Sequence, residues 1–178
     1  MAEGKRGRGA ARKALVVIAA QEDGPGIGRI RLARVADATA ASLVGFVQQA
    51  VAPGSPVHTD GWRSYAALAA AGYRHEFSRL HDQGPDAATK LLPRVHRVAA
   101  LLKRWLLGTH QGAVAPAHLD YYLDEFTFRF NRRTSASRGK LFYRLVEQAV
   151  QVEPAPRASL VGGKNNPHHN PSRSVESK

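Results

Sequence analysis

The sequence predicts an α/β fold in which a mixed sheet is flanked by helices. Three stretches carry that expectation. Ala14 to Ala20, A-L-V-V-I-A-A, is a short unbroken apolar run of the kind that forms a buried strand. Arg29 to Val35, R-I-R-L-A-R-V, alternates charged and apolar residues for most of its length, as a strand with one wet face does. Val95 to Gly112 places Val95, Val98, Leu101, Leu102, Trp105 and Leu106 at the i, i+3, i+4 spacing of an amphipathic helix. Strands and helices in that alternation pack as a sheet with helices against it.

Residues 1–13 are rich in Gly, Arg and Lys and read as a flexible basic arm. Glu22-Asp23-Gly24-Pro25-Gly26 is dense in turn residues, so the first two strands should pair as a hairpin. Asp37 and Thr39 are candidate N-caps for a helix through Leu43, Val44, Phe46, Val47 and Val51 that ends before Pro53-Gly54. Ser55 to Asp60 reads as a short strand. Gly61 to Tyr65 turns into a helix through Leu68 that Gly72 stops, and Tyr73 to Phe77 reads as another strand. Ser78 to Thr89 is polar and contains Gly84-Pro85, which makes it a loop.

Gly108 closes the helix that begins near Val95. Pro116 occupies the N1 position of a second long helix, with Leu119, Tyr122, Leu123, Phe126 and Phe130 on its apolar face. Leu141 to Val150 is the last helix. Residues 153–178 have little to bury and are expected to be disordered.

The chain has 178 residues, 43% of them hydrophobic, enough for one sizeable core. Its formal net charge is +12, from 26 Lys and Arg against 14 Asp and Glu. That excess favours a polyanion, with nucleic acid first. With no cysteine there is no disulfide framework and no thiolate zinc site, which fits the cytosol. No apolar run approaches the ~20 residues a membrane span needs.

Three residues stand out for chemistry. Asp60 ends a strand and precedes a glycine; sheets fix the position of such carboxylates for metal or substrate, although D-G is also a common turn dipeptide. His96 and Lys103 lie seven residues apart, two helical turns, and so share a face. His96 could ligate a divalent cation, although a surface or core helix histidine is the commoner case, and Lys103 could hold a phosphate as a point charge, although a solvated face beside Arg97 and Arg104 also explains it. Trp62 and Trp105 read as core residues before base-stacking platforms. Asp124 and Glu125 point about 100° apart on a helix and cannot chelate one ion together. One of them should pair with a nearby arginine.

V-H-T-D-G-W-R-S-Y, then L-P-R-V-H-R-V-A-A-L-L-K-R-W-L-L-G-T-H-Q-G, then Y-L-D-E-F-T-F-R-F-N-R-R, resembles the catalytic domain of bacterial insertion-sequence transposases of the ISXO-two-like, DDE-type group. The resemblance runs over roughly Gly4 to Val150 and implies a ribonuclease-H-like fold for residues 14–152. It implies DNA transposition by metal-dependent phosphoryl transfer, cutting and joining strands at insertion-sequence ends. Asp60 would be the second aspartate of the site, His96 the third ligand and Lys103 the downstream lysine, with 35 residues between Asp60 and His96.

Two ions, Mg²⁺ or Mn²⁺, would occupy the complete family site. The resemblance also implies DNA as partner, a homo-oligomer assembled on it, and a place in the bacterial cytoplasm at the nucleoid. Lys5, Arg6, Arg8, Arg97, Arg104, Arg129, Arg132 and Arg133 are the candidate DNA contacts.

The family's first aspartate lies on a first strand upstream of a glycine- and basic-rich segment like Gly4 to Arg12, and this chain begins at that segment. The expectation is therefore a domain truncated at its N-terminus, lacking its first strand and inactive alone. Asp23 and Asp37 would substitute for the first aspartate only if the topology were altered. The alternative is a non-catalytic, basic DNA-binding remnant.

Overall fold

The computed structural model describes residues 14–78, 90–111, 114–137 and 139–154. The basic arm, the loop from residue 79 to 89 and the tail from residue 155 lie outside the described residues.

Strands β1 (Leu15–Asp23) and β2 (Gly26–Val35) form the expected antiparallel hairpin, in register from Leu15 opposite Val35 to Asp23 opposite Gly26. The register slips between Ala20 and Glu22. There the Gln21 side chain accepts the Arg29 amide at 3.1 Å, so a side chain takes the place of a rung. A Cβ at Gly28 would stand 2.8 Å from the Gln21 Oε1, so a larger residue there would displace the end of that side chain.

Helix α1 (Ala40–Ala50) starts at Thr39, whose hydroxyl accepts from the Ser42 amide. Asp37 supports that cap: its Oδ1 accepts from the Thr39 amide and from the hydroxyls of Thr39 and Ser42. These bonds, the Thr39 hydroxyl's first, hold the Asp37 carboxyl below the usual carboxylate range.

Strand β3 (Pro56–Thr59) pairs in parallel with β4 (Arg74–Phe77), and a 3-10 helix over Arg63–Leu68 makes the crossover. Leu68 is fully buried, and the Tyr73 hydroxyl donates to the Val51 carbonyl at 3.0 Å. Helix α2 (Pro93–Gly108) follows. Pro116–His118 is a 3-10 turn that runs into α3 (Leu119–Asn131), so Pro116 opens the turn rather than the α-helix itself. Helix α4 (Gly139–Ala149) is the last described helix and buries no residue.

Two cores hold these elements. On one face of the hairpin, Ile30 and Leu32 pack with Val98 and Leu102 of α2 and with Leu119, Leu123 and Phe126 of α3. On the other face, Val17 meets Leu43, Phe46 and Val47 of α1, which also reach Leu68 and Tyr73. Alternate side chains of one strand face opposite ways, so a single hairpin serves both cores.

The class is α/β, but the strands do not form one mixed sheet. The described strands make two separate two-stranded sheets, one antiparallel and one parallel. The physical reason lies in the edges of β1 and β3, which share no ladder. Helix α1 bridges the two sheets by side-chain packing instead.

Candidate metal and DNA site

Asp60 follows the last residue of β3 and is half-buried. Gly61 behind it has φ 74°, a left-handed conformation that glycine adopts without strain. The Asp60 Oδ1 accepts the Trp62 amide at 3.2 Å, and the Gly61 amide reaches the Thr59 hydroxyl at 3.4 Å. This turn follows from the D-G pair and fixes the carboxylate relative to the strand.

The surroundings of Asp60 are richer than the motif suggested. Thr59 Oγ1 and His75 Nε2 share a hydrogen bond of 2.9 Å, and His58 Nε2 and Ser78 Oγ one of 2.8 Å. Burial, then the charge of His58, pushes the His75 imidazole below its ordinary pKa. His58 lies two residues before Asp60 in the chain, on β3 itself. His75 could be placed only by the pairing of β3 with β4.

His96, Arg97, Lys103 and Arg104 all lie on exposed parts of α2, while Val98 and Leu102 hold that helix to the core. The shared face of His96 and Lys103 is thus a solvent face. Among the described residues, no three His, Asp or Glu side chains gather closely enough to hold a metal ion. Asp60 and His96 offer two donors where Mg²⁺ takes six, so the described donor set is incomplete for the ion and no step is derived through it.

Asp23 closes β1 at the hairpin tip, and Asp37 is committed to capping α1. Trp105 packs edge-on against His110 and Tyr122, as a core residue does. Trp62 departs from that expectation: it is 42% exposed, with its Nε1 donating to the Ala38 carbonyl at 3.3 Å. The turn at Gly61 projects it outward.

Lys5, Arg6 and Arg8 lie outside the described residues. Arg129 pairs with Glu125 at 3.3 Å, the arginine partner expected for one of the two adjacent acids. Arg132 lies 3.8 Å over the Phe128 ring. Arg133 stacks on Phe130 at 4.0 Å and donates to the carbonyls of Ile27, Gly28 and Phe130, so it anchors the start of β2.

Two other arginines absent from the sequence expectation also tie elements together. Arg94 joins α2 to the hairpin tip through Glu22 and the carbonyls of Gly24 and Gly26. Arg34 pairs with the buried Asp120 at 3.2 Å.

No helix among the described residues is long and apolar enough to cross a membrane. Neither a comparison with curated proteins nor one with solved structures gave a match. The family model for the ISXO2-like transposase domain matches residues 1–131, a span that contains the hairpin, Asp60 and the whole of α2 and α3. Such a domain implies DNA binding and a part in the transposition of insertion sequences, in keeping with the +12 charge. On a match over most of its length, the chain belongs to the ISXO2-like transposase domain family.

Proposed function

We propose that the chain carries part of the strand-cutting and strand-joining site of an insertion-sequence transposase, on a ribonuclease-H-like scaffold. Asp60 and His96 are the residues assigned to hold Mg²⁺ or Mn²⁺, and Lys103 the residue assigned to a DNA phosphate. Two bound ions would supply activation of the attacking hydroxyl and stabilisation of the leaving oxygen.

The observation that carries the reading is the placement of Asp60 at a strand end, its carboxylate held by the Trp62 amide, inside the matched span. Lys103, two turns beyond His96 on a solvent face, can meet a phosphate without leaving a core. Exposed Arg97 and Arg104 beside it would hold the DNA backbone, and basic Lys5, Arg6 and Arg8 would extend that contact. Assembly as a homo-oligomer on DNA, in the cytoplasm at the nucleoid, belongs to the same proposal.

One observation favours the second reading, a non-catalytic DNA-binding remnant: among the described residues no three His, Asp or Glu side chains gather closely enough to hold a metal ion. The two readings separate in an assay of Mg²⁺- or Mn²⁺-dependent nicking and strand transfer on DNA bearing the element's own ends. Under the first, Asp60→Asn and His96→Ala each abolish product while DNA binding persists. Product that survives both changes would overturn the assignment. Salt-sensitive DNA binding without any nicking, together with a Mn²⁺ affinity that Asp60→Asn leaves unchanged, would establish the remnant.

A further inference from the structure

Trp62 is held beside Asp60 at both ends of the residue. Its amide donates to the Asp60 Oδ1 at 3.2 Å, and its indole Nε1 donates to the Ala38 carbonyl at 3.3 Å. Its own carbonyl accepts from the Tyr65 amide at 3.0 Å. The Ala38 carbonyl is itself a fixed anchor. The Ser64 hydroxyl donates to the same oxygen at 2.6 Å, and the residues on either side of Ala38, Asp37 and Thr39, are bonded to each other in the α1 cap. A side chain with two rotatable bonds, tied at its polar edge, has little freedom left to lose on binding.

Trp62 is nevertheless 42% exposed. Its main-chain amide and carbonyl and the pyrrole edge of its ring all face partners in the chain, so the open area falls mainly on the rest of the indole. Trp105, by contrast, packs against the core beside Tyr122 and Phe126. An exposed, apolar and rigid aromatic plane is what a nucleobase stacks on, since every base has a π-face of its own. A base inside a duplex has both faces covered, so the ligand is a base out of the stack.

The position of the ring says which base. Trp62 is the second residue after Asp60, so their Cα atoms are at most ~7 Å apart. That is about two steps of a DNA strand, at roughly 3.4 Å each. Exposed Arg63 follows the ring and supplies a cation for a neighbouring phosphate.

We propose that Trp62 is a stacking platform for an unpaired base at the end of the element DNA, within about two nucleotides of the phosphate assigned to Asp60. The position of that base rests on the reading of Asp60 as a residue of the cutting site; the stacking itself does not. A base held on the ring sets the register of the strand, so that one phosphate rather than its neighbour lies at Asp60.

The test uses the full chain and duplex DNA ending at the element's terminus with a dinucleotide overhang, its bases present or replaced one at a time by abasic sites. Binding is read by fluorescence anisotropy at fixed salt. Loss of the stacked base is expected to weaken binding by the unaltered chain about fivefold or more. The intact overhang should also quench tryptophan fluorescence, and its abasic form should not. Trp62→Ala is expected to bind both forms alike, as weakly as the unaltered chain binds the abasic one. Trp62→Phe keeps a ring and should keep most of the preference.

Equal affinity of the unaltered chain for intact and abasic overhangs would overturn the platform, with no variant needed. So would a preference that survives in Trp62→Ala. A Trp62 that only closes the turn onto Ala38 would lower Tm when replaced by alanine and show no difference between the probes in either chain. Strand transfer that requires Asp60, with no abasic penalty, drops the platform and keeps the catalysis. A Trp62-dependent preference in a chain that does not nick DNA keeps the platform and drops the catalysis.

Discussion

Asn131 grips Ile30 from 101 residues away. Its Oδ1 accepts the Ile30 amide at 2.7 Å and its Nδ2 donates to the Ile30 carbonyl at 3.0 Å. An asparagine amide presents the same donor and acceptor pair as a neighbouring strand, so α3 ends as a one-residue strand on the outer edge of β2. The clasp satisfies two main-chain groups, covers part of an open edge and sets the position of Arg132.

Asn131→Ala is expected to destabilise the fold by about 1–3 kcal/mol, the cost of leaving partly buried main-chain groups unpaired. Asn131→Asp keeps the acceptor for the Ile30 amide but turns a negative oxygen toward the Ile30 carbonyl, and should be no better than alanine. Urea unfolding of the unaltered chain and the two variants checks both. Equal midpoints for the unaltered chain and the Asn131→Ala variant would mean the clasp contributes nothing.

Arg34 and Asp120 tie the far end of β2 to the first turn of α3. Asp120 is only 5% exposed, and Arg34 also donates to the Pro116 carbonyl at 3.2 Å. Arg34→Ala leaves a buried carboxylate without its cation, and a loss of about 3–5 kcal/mol is expected. Asp120→Asn removes the charge that would be stranded and should cost less, although it also gives up a favourable acid near a helix N-terminus. Thermal unfolding with Asp120→Asn as the more damaging change would contradict this ordering.

The hairpin, the Thr39 cap and the Glu125–Arg129 pair were legible in the sequence because each depends on residues close in the chain. The single mixed sheet was not, because β1 and β3 read alike whether they share a ladder or only a common helix. The Asn131 clasp was hidden for a similar reason: N-R-R reads as a basic helix end, and nothing local announces Ile30. Trp62 was misplaced because composition favours buried tryptophan, whereas the Gly61 turn decides its direction. At the candidate site, the positions of Asp60, His96 and Lys103 on a strand end and a helix follow from the pattern. Bringing the three to one point would depend on long-range packing that no spacing encodes.

His75 gives the β3–β4 pair a pH dependence. Its folded pKa lies below the ordinary value because of burial first and the neighbouring His58 second. The unfolded chain then binds the proton more readily than the folded one. The stability is therefore complete above about pH 6.5, the unfolded value, and is lost as pH falls toward the depressed folded value. His75→Gln keeps a side chain able to bond Thr59 without titrating. It should flatten the dependence of Tm on pH between about 7 and 5. An unchanged pH profile in that variant would assign the dependence to other groups.

Asp60→Asn separates chemistry from architecture. The carbonyl oxygen of asparagine can accept the Trp62 amide as the carboxylate does, and the left-handed turn at Gly61 does not depend on charge. The fold should stay within about 0.5 kcal/mol of the unaltered chain, as substitutions outside buried networks generally do. Metal affinity and strand transfer should fall together, since a neutral amide is a far weaker ligand for a hard cation than a carboxylate. Mn²⁺ binding followed by paramagnetic resonance alongside thermal unfolding reads both quantities on one sample. Unchanged Mn²⁺ affinity at unchanged Tm would remove Asp60 from the metal site, whereas a large drop in Tm would make it a structural turn residue first.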